Sequence, residues 1–146
     1  MSADMTLQFC SAQNLFGNGT TVQSTDWIDM KVAQDNGGGS SLELEVLVTT
    51  AFTGGTGAVF VIQAVDSSGG SALAVSNSVT IPVASLTVGS IHHVKLSDLA
   101  ALPGSTLTHL RFAVFNSGNN TAGACTAHLV PAGASTRPAK AYPAGF

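Results

Sequence analysis

The chain has 146 residues, enough for one domain with its own core. Only 9% of them are Asp, Glu, Lys or Arg, where ordinary soluble domains carry about 25%. With a net charge of -3, that balance argues against a nucleic-acid binder, which needs a basic face, and against a polybasic membrane-surface protein. The surface falls instead to Ser, Thr, Asn, Gly and Ala, which repel neighbours weakly and suit a protein that works packed against others.

The N-terminal "MSADMTLQFC" has no basic start and no long apolar run, so no secretory signal peptide is expected there. Residues 1–19 show no strand period and carry Leu15 and Phe16; they read as an N-terminal arm with exposed apolar groups. "STDWIDMKV" (24–32) is the first expected strand, with Trp27 in the core. In "SLELEVLV" (41–48), Leu42, Leu44, Val46 and Val48 alternate with Glu43 and Glu45, which predicts a half-buried strand with a solvated acidic face. The uncharged run 46–65 is long enough to span a bilayer, but Thr49, Thr50 and "TGGTG" (53–57) break it into two strands and a turn. "AVFVIQAV" (58–65) is apolar on both faces, as a central or interface strand would be.

"LAVSNSVTI" (73–81), "SIHHVKLS" (90–97), "LTHLRFAVFN" (107–116) and "AGACTAHLV" (122–130) continue the series. Between the strands lie Gly-, Ser- and Asn-rich turns such as "NGGGS" (36–40), "SSGGS" (67–71) and "NSGNN" (116–120). "LSDLAALPG" (96–104) is the one helical candidate, with Ser97 as cap and Pro103–Gly104 as stop. The prediction is an all-β antiparallel sandwich or jelly roll of about eight strands, in a single domain 1–146. Its parts are an N-terminal arm 1–19, a core 20–131 and a C-terminal arm 132–146. The C-terminal arm holds Pro138 and Pro143, which forbid a regular helix, and the aromatic groups Tyr142 and Phe146.

No catalytic set emerges. His92, His93, His109 and His128 lack a Cys or carboxylate at ligand-like spacing, and neighbouring strand residues point to opposite faces. Asp26 and Asp29 fall on opposite faces of a strand, which is poor geometry for acid–base work. The glycine clusters precede no helix, so they are turns rather than phosphate loops. Cys10 and Cys125 form no disulfide framework and are expected as free thiols. No cofactor, metal or enzymatic activity is expected.

Several stretches together resemble the jelly-roll capsid cement (decoration) proteins of tailed bacteriophages. They are "QNLF" (13–16), Ser24, Thr25, Ile28 and Asp29 in "STDWID", and "LVTTAF" (47–52) with its glycine turn. The last hairpin, "LRFAVFNSGNNTAGACTAHLV" (110–130), adds Thr121, Ala122, Gly123, Thr126 and Ala127 in a "TAGxxTA" pattern. That resemblance implies a homo-oligomer, dimer or trimer, made in the bacterial host cytoplasm and bound to the outside of the virion head. Its partner there would be the major capsid protein, whose neighbouring copies it bridges. It further implies no nucleic-acid or membrane partner. Leu15, Phe16, Tyr142 and Phe146 are the expected apolar interaction residues of the two arms. The alternatives are a structural neck or tail component, or a receptor- or glycan-binding jelly-roll module of the virion.

Overall fold

A computed structural model of the chain describes residues 8–29, 42–70, 73–95 and 108–131. In chain order the strands are β1 (Gln8–Asn14), β2 (Thr21–Asp29), β3 (Leu42–Thr53), β4 (Gly57–Val65) and β5 (Leu73–Asn77). They continue with β6 (Ile81–Pro82), β7 (Ile91–Lys95), β8 (His109–Ser117) and β9 (Ala122–Pro131), and one 3-10 turn covers Val83–Ser85. Period-two patterning drives this. In β3, Leu44, Val46 and Val48 are fully buried on one face, and in β8 so are Leu110, Phe112 and Val114.

The strands form two antiparallel sheets, ordered β1-β9-β3-β7 and β2-β8-β4-β5, with β6 paired to β4. Leaving out the two-residue β6, the first strand pairs with the last, the second with the next-to-last, and so inward to β4 with β5. That is one long hairpin wound over on itself, the jelly roll. The fold is therefore the all-β sandwich that the periodicity predicts. The inner faces meet around Phe9, Phe60 and Phe112, with ring centroids 6.4 Å apart for Phe9–Phe112 and 5.8 Å for Phe60–Phe112. No helix among the described residues is long and apolar enough to cross a membrane. The run 46–65 divides into the end of β3, a turn and β4.

Three expectations need correction. Residues 8–14 are not part of an arm but the edge strand β1, paired with β9. The pattern hid it because β1 slips register twice against β9. Phe9 and Cys10, adjacent in sequence, both join the core, and Ala12 takes a left-handed φ of 47°. Secondly, the stretch 73–81 is two strands, since residues 78–80 break from the ladder between β5 and β6. Thirdly, the acidic face of β3 is not solvated: Glu43 is 9% and Glu45 only 1% exposed. β3 is an interior strand, flanked by β7 and β9. The helical candidate 96–104 and the C-terminal arm 132–146 lie outside the described residues.

The two seams between the sheets are tied by side chains. At the β1–β2 seam, Gln13 donates from Nε2 to the Gln23 carbonyl at 3.0 Å and accepts from the Thr25 amide at 2.8 Å. One side chain thus replaces a rung of backbone pairing. At the other seam, the Ser76 hydroxyl donates to the Lys95 carbonyl at 2.5 Å, joining β5 to β7.

Candidate interaction surface

Four connections gather at one end of the sandwich: residues 15–20, 54–56, 78–90 and 118–121. Two buried asparagines hold this end together. Asn116 is fully buried and donates from Nδ2 to the carbonyls of Leu15 and Thr20, both at 3.1 Å. Asn120, 2% exposed, donates to the Gly57 carbonyl at 3.0 Å and to Asn116 Oδ1 at 2.9 Å. Its own Oδ1 accepts from the Gly55 amide at 3.1 Å. Buried amides whose oxygen and nitrogen are both bonded fix one geometry, because any shift leaves a dry polar group. Backbone bonds add to this: Gly19 to Gly118, Thr56 to Ser117, Val83 to Thr56 and Phe52 to Leu86.

Packing does the rest. A Cβ at Gly123 would sit 2.5 Å from the Phe52 ring, so only glycine lets that ring close over β9. This is the glycine of the "TAGxxTA" pattern, and its requirement here is steric.

The chemistry of this end is defined by what it lacks. Segments 8–25, 46–65, 67–94 and 112–131 contain no Asp, Glu, Lys or Arg, and together they supply all four connections. Among the described residues, every Asp, Glu, Lys and Arg lies in the opposite half. The uncharged end is not uniformly polar. Phe16 is 38% exposed, Phe115 41%, Val88 68% and Val79 81%. Single exposed apolar side chains are ordinary, but an apolar set on a rigid, charge-free end is a docking chemistry.

Phe16 therefore stands where it is expected, exposed. Leu15 does not: it is fully buried, with its amide bonded to the Gly123 carbonyl at 3.0 Å. It anchors the loop from inside and leaves Phe16 as the presenting residue. Tyr142 and Phe146 lie outside the described residues. The arm that carries them follows Pro131, which pairs with Leu42 at the opposite end of the sheet from Phe16. Val79, Val88 and Phe115 were not among the sequence candidates. The readable signal for them was the spacing of charges along the chain rather than any motif.

The charged half is built differently. Trp27 is not a core residue: it lies half-buried, with Nε1 donating to the Ser67 carbonyl at 3.3 Å. The Arg111 guanidinium packs 4.8 Å from the Trp27 ring centroid and donates to the carbonyls of Ser24 and Gly69. Both groups are engaged in holding the turn 66–70 to the sheet. Asp66 Oδ1 closes that turn by accepting from the Ser68 and Gly70 amides, each at 2.9 Å.

Three of the histidines lie on the four-stranded sheet, His92 on its inner face and His93 and His128 beside Glu45. His92 packs tilted against Phe60, ring centroids 5.6 Å apart, and meets the Ser90 hydroxyl at 3.1 Å; burial pulls its pKa down, and so does His93 to a smaller degree. His128 faces Glu45 across β9 and β3, and burial lowers its pKa although the carboxylate opposes this. His93 Nε2 lies 3.3 Å from Glu45 Oε2. Among the described residues, no group of three His, Cys, Asp or Glu is placed to hold a metal ion. Cys10 and Cys125 are free and buried, with the Cys10 thiol donating to the Cys125 carbonyl at 3.5 Å. Burial raises both thiol pKa values, that of Cys10 to about 12. These are core groups, not nucleophiles.

No family model matches the chain, and no curated protein matches it.

Proposed function

We propose that this chain is a capsid cement protein of a tailed-phage head, bound to the outer shell through the uncharged end of its jelly roll. The observation that supports this is the rigid, charge-free end carrying exposed Phe16, Val79, Val88 and Phe115. A protein that reinforces a shell acts by area and shape. It needs a stiff scaffold, a contact surface that high or low salt leaves unchanged, and a few apolar anchors. It needs no reactive group. The two buried asparagines provide stiffness at the place where contact would be made.

In this reading the protein is a homo-oligomer on a symmetry axis of the head and bridges neighbouring copies of the major capsid protein. Tyr142 and Phe146, in the segment that follows Pro131, are read as a further apolar contact with the shell. The deciding experiment is to count the chain in purified virions by quantitative mass spectrometry, relative to the major capsid protein. Copies in proportion to the capsid protein support a shell-covering role. A handful of copies per particle moves the chain to the neck, the tail or a fibre, and absence from virions ends the reading.

A further inference from the structure

Phe115 differs from the other exposed apolar groups of the uncharged end. Phe16, Val79 and Val88 sit in connections, whereas Phe115 stands on the interior strand β8 and is still 41% exposed. Leu110, Phe112 and Val114 take the inner face of β8, so Phe115 points to the outer face of its sheet. Two rows in register form its surroundings. Thr21 and Val59 flank Phe115, and Gln23 and Val61 flank Ala113. Neither row holds an ionised group. Gln23 Nε2 reaches across β8 to Gln63 Oε1 at 2.9 Å, and Ala113 beneath that bond is fully buried without belonging to the core cluster.

β4 shows the same departure from a water-facing sheet. Ala58, Phe60 and Ile62 line the core, while Val59 and Val61 lie half-buried on the outside. A strand with one wet face alternates apolar with polar; one that is apolar on both sides, beside an exposed Phe, marks a face that is covered in use. The outer face of the other sheet carries Glu43, Glu45, His93, Lys95 and His128, so the two outer faces differ in kind. Size and charge point to the cover. Four strands about 4.8 Å apart, the longest of nine residues at about 3.3 Å each, make a face of about 19 by 30 Å, or about 570 Å² before side-chain relief. That is of the order of the roughly 800 Å² per partner found in stable association. An identical face laid on it strands no charge: the Arg111 guanidinium already lies on Trp27 and bonds two carbonyls, and Asp29 and His109 stand at the far margin, where a polar rim belongs.

We propose that two copies of this chain pair through the outer faces of their β2-β8-β4-β5 sheets, with Phe115 of each packed on the Val59–Val61 strip of the other. The two-fold axis runs along the strands, which brings uncharged rows onto uncharged rows. Both loop ends then point the same way. A dimer therefore offers two sets of Phe16, Val79 and Val88 side by side, which is the geometry for bridging two neighbouring subunits. The inference rests on the homo-oligomeric reading given above and names its contact face.

Sedimentation velocity on the isolated full chain tests it, so failure here is distinct from a failed count in virions. The mass of two chains is expected at about 100 μM, falling to one on dilution. Phe115→Lys, checked for folding by its melting curve, is expected to raise the dissociation constant at least about thirtyfold, the effect of losing one interface hot spot. Thr21→Arg, at an exposed position beside Phe115, is expected to act in the same direction and serves if the first variant does not fold. Val88→Glu, in a connection, is expected to leave association unchanged. A monomer at the highest concentration overturns the proposal. So does a dimer that survives both Phe115→Lys and Thr21→Arg, which places the contact elsewhere. A dimer that Val88→Glu dissociates overturns it in favour of contact through the loop end, and a mass of three or more chains overturns the two-fold arrangement.

Discussion

Replacing Asn120 by Ala removes the centre of the network that binds three loops. The side chain is 2% exposed, so water cannot substitute for it. Three partners lose their bond: the Gly57 carbonyl, Asn116 Oδ1 and the Gly55 amide. At about 1 kcal/mol for each bond, the loss comes to about 3 kcal/mol, and more if the cavity stays dry. Against a total stability of about 5–15 kcal/mol, this is a large fraction. For a chain of this size it corresponds to a fall in Tm of roughly 6–12 °C. The assay is urea unfolding followed by far-ultraviolet circular dichroism, with the slope m compared between variant and parent. Asn77→Ala is the control. Asn77 is exposed and, among the described residues, its side chain bonds the neighbouring Ser78 carbonyl, so a change under about 0.5 kcal/mol is expected. If Asn120→Ala destabilises no more than this control, the loop end is not held by the asparagine pair and its rigidity needs another source.

Further outcomes follow from the same structure. Gly123→Ala places a methyl group against the Phe52 ring and is expected to destabilise by about 1–3 kcal/mol; Phe52→Leu should recover part of that loss in the double variant. His92 and His128 both have pKa values lowered from 6.5, so the unfolded chain binds their protons more readily than the folded one. Their contribution is therefore complete above pH 6.5 and is lost as pH falls from there towards the folded values; His92→Gln should flatten the decline in Tm over that window. With Cys10 buried and its pKa near 12, neither native thiol should react with a disulfide reagent at pH 8 except at the rate of global opening, which added urea should accelerate. Val88→Glu, at a site 68% exposed, should leave stability within about 0.5 kcal/mol while abolishing saturation binding to undecorated heads, measured by co-sedimentation.

The sheet was legible in the sequence wherever one face is dry and the other wet. Leu44, Val46 and Val48 announced β3, and Leu110, Phe112 and Val114 announced β8, because burial on one face imposes a period of two. β1 was not legible, since its irregular pairing turns Phe9 and Cys10 to the same side and the period disappears. Glu43 and Glu45 misled for a different reason. Alternation tells which face a residue takes, but not that β3 is an interior strand whose neighbours β7 and β9 flank that face on both sides. The interaction end was harder still. Leu15 and Phe16 are adjacent and both apolar, and only the bond from the Leu15 amide to Gly123 decides which one is presented. Val79 and Val88 sit in connections where no periodicity exists to mark them.

The tied seams bear on how such a molecule survives at high concentration. With so few ionised groups, electrostatic repulsion between copies is weak, and a sheet edge with free backbone groups would invite strand-by-strand growth into fibres. Gln13 occupies part of one border and the Ser76–Lys95 bond part of the other, so at those points a passing copy meets backbone groups already bonded. Uncharged side chains thus do at these borders what edge charges do elsewhere, and loss of Gln13 should appear first as aggregation on storage rather than as a lower melting point.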